Sequence, residues 1–275
     1  MSEAEDLVGQ RYGVEIAVDP QINETLRTIL GHRTCRRFAD QPISDATLTL
    51  LLACAQSAPS KSNLQQYSII NVVDSAVRQA VAELVPSMPW LATAPRVLVF
   101  LGDVRRIREL ARLRNHTYRN NNADTFMNAA VDAALAMQNL MTAAESIGIG
   151  SCPISYLRNR IDELAHLLHL PDGVFPVCGL TLGYRDDAAI TAVRLPPSVV
   201  IHQDRYDDGQ LADEISEYDA RAHDRSPLPP ENQRHTERYG VLEKCPWSEN
   251  VTRQLSLPER AGFARFLKEK DIRLD

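Results

Sequence analysis

The sequence predicts an α+β fold, and three observations carry that expectation. Helical and strand-like periods alternate along the chain, but in runs too irregular for a doubly wound parallel sheet. One long Ala-rich helical pattern, "DTFMNAAVDAALAMQNLMTAAESI", fills 124–147. Short β-branched runs, "YSIINVV" (67–73) and "RVLVFLG" (96–102), read as buried strands. At 275 residues and 44% apolar content, the chain can build one large domain or a domain with an elaborated tail.

Taken in order, residues 1–20 read as a loose arm and 21–31 as a short helix. "PISDATLTLLLACAQSAPS" reads as a helix, because Ser44 can cap its start and Leu48, Leu51, Leu52 and Ala55 recur at helical spacing. Pro59 ends it. "SAVRQAVAEL" is expected to be helical between the two strands, and a polar helix around 104–115 precedes the Asn-rich turn "NHTYRNNN". The 124–147 helix is apolar nearly all round, so protein must cover both its faces, either as the spine of the domain or at a subunit interface. "GIGSCPI" and "VFPVCGLTLGY" supply further strands around the helix "RNRIDELAHLLHL". After Tyr184 prolines multiply and apolar positions become too sparse to close a separate core. The expected organisation is an N-terminal arm over 1–25, a core over 26–196 and an extension over 197–275 that wraps the core or a partner subunit.

Composition removes several function classes. Lys and Arg total 30 against 36 Asp and Glu, a formal net charge of −6. A general nucleic-acid binder needs the opposite potential. The opening "MSEAEDLVGQRYGVEI" is too polar and acidic for a signal or transit peptide. The longest apolar stretch, 129–144, carries Asp132, Gln138 and Asn139, which argues against a membrane span. Five scattered cysteines without a C-x-x-C indicate neither a zinc site nor a disulfide framework, so a reducing cytoplasm is expected. There is no G-x-S-x-G elbow and no Ser, His, Asp set, so no side-chain nucleophile and no metal are expected. His166 and His169 read as surface or packing residues, and Asp132 as a buried, hydrogen-bonded structural carboxylate.

Against this acidic background "HRTCRRF" (32–38) is a local basic cluster. Guanidinium forks with a hydroxyl beside them match a phosphate. In "SAPSKSNLQQY" (57–67), Ser60, Ser62, Asn63 and Gln65 crowd a loop that could satisfy a polar heterocycle or a ribityl chain. "GIGSCPIS" (148–155) is a weak fragment of a dinucleotide fingerprint, lacking the third glycine and the following helix start.

The order and spacing of H-R-T-x-R-x-F, A-P-S-x-x-N-x-Q and a long Ala-rich helix ending in G-I-G resemble the FMN-dependent nitroreductase family over roughly residues 26–270. "GLTLGY" followed by "VRLPPSVVIHQDRY" is similar to the NADPH-dependent nitroreductase and flavin-reductase subgroup. The resemblance implies a central mixed sheet flanked by helices, in an interlocked homodimer with FMN at the subunit interface. It implies that His32, Arg33 and Thr34 receive the FMN phosphate, completed by Arg194, with Arg36 against the pyrimidine end of the ring. A positive charge there favours the reduced, anionic ring. Pro59, Ser60 and Asn63 match positions that reach the flavin from the other subunit, with Lys61 in the same loop. Ser155 and Tyr156 stand beside the reactive edge, where relatives often have Glu-Gly or Gly-Gly, and make Tyr156 a candidate substrate contact. Met88 lies near a position where relatives offer an amide, and Ala192 stands where the subgroup has a lysine. Arg234 and His235, with Arg238, are candidates for the NADPH 2′-phosphate, NADH being the other reductant to consider. The implied activity is ping-pong hydride transfer from NAD(P)H to nitroaromatics, quinones or similar small electron-poor acceptors. Two alternatives stand beside it: reduction of one dedicated aromatic, such as reductive dehalogenation, and a flavin-handling protein without NAD(P)H turnover.

Overall fold

A computed structural model describes residues 1–186 and 190–275. In chain order the helices are α1 (Glu3–Tyr12), α2 (Glu24–Leu30), α3 (Asp45–Gln56), α4 (Ser75–Glu83), α5 (Arg105–Leu113), α6 (Ala123–Ser146), α7 (Ile161–Leu167), α8 (Pro197–Val200), α9 (Leu211–Arg225), α10 (Thr236–Tyr239), α11 (Trp247–Leu255) and α12 (Phe263–Glu269). The strands are β1 (Tyr67–Asn71), β2 (Arg96–Asp103), β3 (Ile149–Ile154) and β4 (Val174–Tyr184). They fall into two compact units. One joins Met1–Arg33 to Ile190–Glu259, and the other joins Thr34–Ala189 to Arg260–Asp275.

The second unit is built on a four-stranded sheet of order β1-β2-β4-β3. The α+β expectation holds, but every pairing is antiparallel, so the described strands form no mixed sheet. Two prolines sit where a missing N–H costs least. Pro153 lies in β3, which ends the strand order, and Pro176 flanks the register shift of β4 against β2 at Phe100/Leu101. Along β2, Val97, Val99 and Leu101 enter one core, while Leu98 and Phe100 enter another with Leu48, Leu51, Ala136 and Leu140. That period of two explains the uninterrupted apolar run: both faces of the strand are covered. Ser44 caps α3 through the Thr47 N–H, Asp74 caps α4, and Asn122 caps α6 through Thr125. The last residues return to this unit. Phe266 and Leu267 of α12 are buried in the core with Phe175, and the Gly173 N–H donates to the Lys270 carbonyl at 2.8 Å.

In the first unit the stretch expected to be a loose arm contains a helix. Ser2 and Glu5 form a reciprocal capping box at the start of α1, and Gly13, in the left-handed region at φ 71°, closes its end. Arg27 grips Glu3 with two nitrogens at 2.7 and 2.8 Å, tying α2 to α1. Around α9 and α11, Tyr218 meets Trp247 edge to face at 5.2 Å, and Asp219 accepts the Ser248 N–H near the start of α11.

Candidate functional site

Residues 34–39 run extended against the ends of β3 and β4. The Cys35 N–H donates to the Ser151 carbonyl at 2.9 Å, the Ala39 N–H to the Tyr184 carbonyl at 2.8 Å, and Phe38 bridges Arg185. Two glycines make this seat. A Cβ on Gly150 would lie 2.6 Å from the Cβ of Cys35, and one on Gly183 would lie 2.6 Å from the Phe38 ring. Cys35 is buried, Thr34 half-buried and Arg36 exposed. Burial pushes the Cys152 thiol up to about 11, and the Arg36 guanidinium beside it pulls only partly the other way. Met88, half-buried, precedes the short turn Pro89–Leu91 elsewhere in this unit.

The 57–66 loop is anchored from α6. Asp132, 1% exposed, accepts from the Ser60 hydroxyl at 2.7 Å, the Gln66 N–H at 2.9 Å and the Lys61 N–H at 3.3 Å. This is the hydrogen-bonded structural role expected of it. The Ser60 oxygen in turn accepts from the Gln65 N–H at 2.7 Å, so that hydroxyl is engaged within the protein. Pro59 and Asn63 are exposed, and Asn63 Oδ1 accepts from Gln65 Nε2 at 3.1 Å. Ser62, Asn63 and Gln65 all have positive φ, at 49°, 58° and 52°. Such conformations store roughly 1 kcal/mol or more each outside glycine, and persist where the surroundings fix them. Arg106 fixes the far end, donating to the Gln65 carbonyl at 2.7 Å, the Tyr67 carbonyl at 3.1 Å and Asp103 at 3.1 Å. Sequence reasoning missed Arg106 and Asp103, since nothing in a polar helix start marks them as loop clamps. Asn63, Gln65 and Arg106 line a groove of about 600 Å³ with Leu52, Leu64 and Ile107.

Past the end of β3, Ser155 and Tyr156 open a 3₁₀ turn, with Tyr156 38% exposed. His166 and His169 lie with ring centroids 6.4 Å apart.

In the other unit, His32 and Arg33 follow α2, and Arg194 lies in the segment before α8. Arg33 Nε is buried without a hydrogen-bond partner. Arg11, from α1, donates through Nη1 to the Ala192 carbonyl at 3.2 Å and through Nη2 to the carbonyls of Leu30 and His32 at 2.5 and 2.9 Å. Its own carbonyl accepts the Arg194 N–H at 2.8 Å. Arg234 and His235 sit on a loop closed by Gln233, which donates to the Leu242 carbonyl at 2.7 Å and accepts its N–H at 2.9 Å. Buried Arg253 supports the same loop through the Gly240 carbonyl at 2.7 Å. The Arg234 side chain is exposed, and His235 Nδ1 lies 3.5 Å from Glu237.

The residues present fit a phosphate-bearing flavin. A desolvated guanidinium nitrogen without an acceptor is costly, and a phosphate oxygen would satisfy it.

Comparison with known proteins agrees. The nitroreductase family profile matches residues 29–184, and the profile of that family's C-terminal domain matches 193–275. The chain is 30% identical to the FMN reductase (NADPH) of Bacillus subtilis, over 90% of this chain and 98% of that protein. It is 31% identical to the oxygen-insensitive NADPH nitroreductase of Salmonella typhimurium, over 90% and 98%. Among solved structures, NfrA2 of B. megaterium superposes with a TM-score of 0.83 at 29% identity, covering 92% of this chain and all of that one. The NADPH:FMN oxidoreductase of Vibrio harveyi complexed with NAD+ gives 0.77 at 30% identity, covering 90% and 98%. Over nearly its whole described length, therefore, this chain belongs to the nitroreductase family.

Proposed function

We propose that the protein is an FMN-dependent NAD(P)H oxidoreductase that reduces nitroaromatics, quinones or similar electron-poor acceptors. The observation that carries this reading is the buried, unpartnered Arg33 Nε within the H-R-T-x-R-x-F motif. Relatives named as NADPH-dependent FMN reductase and nitroreductase support it. Bound FMN would supply the hydride chemistry, accepting from the nicotinamide and delivering to the acceptor.

The protein's part is binding and orientation. His32, Arg33, Thr34 and Arg194 take the phosphate in this reading. Arg36 places positive charge at the pyrimidine end, and Pro59, Ser60, Lys61 and Asn63 present the loop. Ser155 and Tyr156 border the acceptor, so a half-exposed tyrosine ring there sets acceptor size. Arg234 and His235 bind the NADPH 2′-phosphate. A homodimer follows from the same reading. Met127, Val131 and Leu135 make an exposed apolar stripe at four-residue spacing on α6, a face that a second subunit would cover. Among the described residues no helix is long and apolar enough to cross a membrane.

The test is an anaerobic NADPH titration of purified protein, followed by visible flavin absorption, with a nitroaromatic added last. Bleaching that reverses on adding the acceptor is expected. Protein that holds no flavin after incubation with FMN would overturn the proposal.

A further inference from the structure

We propose that Arg11 is a positioning residue for the phosphate end of the FMN site, supplied by a helix that neither family profile covers. The inference rests on the FMN reading above. The family profiles begin at residue 29 and resume at 193, so α1 belongs to neither match.

Arg11 is 8% exposed. A guanidinium taken so far out of water must be hydrogen-bonded, and here three of the acceptors are main-chain carbonyls. Two of them, Leu30 and His32, flank the end of α2, where the helix leaves carbonyls without internal partners. The third is Ala192. The Arg11 carbonyl then takes the Arg194 N–H, so one residue fixes the 30–32 and 192–194 segments together. These segments carry the groups assigned to the phosphate: His32 and Arg33 on one, Arg194 on the other. Ala192 contributes no charge of its own and serves through its carbonyl.

The planar fork of Arg11 sets this geometry, because its two terminal nitrogens reach the two segments simultaneously. Helix α1 is in turn held by its capping box and by the Arg27–Glu3 pair. A ligand phosphate therefore meets groups whose main chain is already ordered, which spares the entropy of arranging them on binding.

The experiment compares FMN with riboflavin, which differs only in lacking the phosphate. Dissociation constants for both would be measured by flavin fluorescence in wild type, Arg11→Ala and Arg11→Lys, with melting curves alongside. Wild type should prefer FMN. In Arg11→Ala the FMN affinity should fall on the order of tenfold or more, the loss of one well-placed charge-assisted phosphate bond, with riboflavin affinity unchanged. Arg11→Lys should recover part of the preference, because one ammonium cannot serve both segments as the fork does. It also carries the test should Arg11→Ala fail to fold. A full FMN preference retained in the folded variants, or equal losses for both flavins, overturns the role of Arg11. A wild type that binds FMN no better than riboflavin overturns the phosphate reading itself, and this inference with it.

Discussion

Asp132→Asn is the sharpest probe of the polar loop, because it keeps the shape of the side chain and removes its charge. In the native carboxylate one oxygen serves the Ser60 hydroxyl and the Gln66 N–H, while the other serves the Lys61 N–H. An asparagine has one acceptor oxygen. Placed toward Ser60 and Gln66, it turns two charge-assisted bonds into neutral ones, a loss of about 1 kcal/mol each. Its amide then faces the Lys61 N–H, donor against donor, and leaves that partly buried bond unmade at about 1 kcal/mol. The expected destabilisation is about 3 kcal/mol. At about 2–4 °C per kcal/mol for a large domain, the melting midpoint should fall by about 6–12 °C. Trypsin should cleave after Lys61 faster, since that exposed residue loses its main-chain anchor. A midpoint within about 2 °C of wild type with unchanged cleavage would refute the anchoring argument.

Other consequences follow from the same geometry. Gly150→Ala forces a methyl to 2.6 Å from Cys35 Cβ and should cost about 1–3 kcal/mol while lowering retained FMN; an unchanged melting curve would mean that residues 34–38 are not seated there. Arg234→Ala should raise the KM for NADPH about tenfold and leave NADH nearly unaffected, because only NADPH offers the 2′-phosphate; equal losses would remove Arg234 from discrimination. Cys152 should resist iodoacetamide at pH 8 in the native protein and react on unfolding. Its thiol is raised from the usual 9.0 to about 11, so the unfolded chain releases the proton first. The stability it contributes is present below pH 9 and is lost as pH rises toward 11, and labelling as fast in native as in denatured protein would contradict this.

The elements that were legible in the sequence are those whose partners lie nearby or whose period is strong. Ser44 and its apolar spacing announced α3, and the alternation of β2 was visible as a buried run. Asp132 stood out as an acid among alanines. Helix α1 was missed although Ser2 and Glu5 spell a capping box, because its polar character resembled that of a loose arm. Strand direction is decided by long-range pairing, and neither β2 nor β4 carries a local sign of it. Arg11 and Arg106 were invisible for the same reason: they hold main-chain carbonyls, and a carbonyl has no letter in the sequence. Tyr156 could be named as a departure from relatives, but its exposure depends on the turn after β3.

The amide of Gln233, bonded in both directions to Leu242, makes the intervening loop a self-closed cassette. Because closure relies on the two end residues and on Arg253 beneath Gly240, the residues between them are free to vary in charge without unfastening the loop. If Arg234 and His235 bind the reductant as proposed, nucleotide preference could be redesigned by rewriting 234–238 alone. The clasp itself would stay untouched, so on that proposal the choice of reductant is separate from the stability of the unit that carries it.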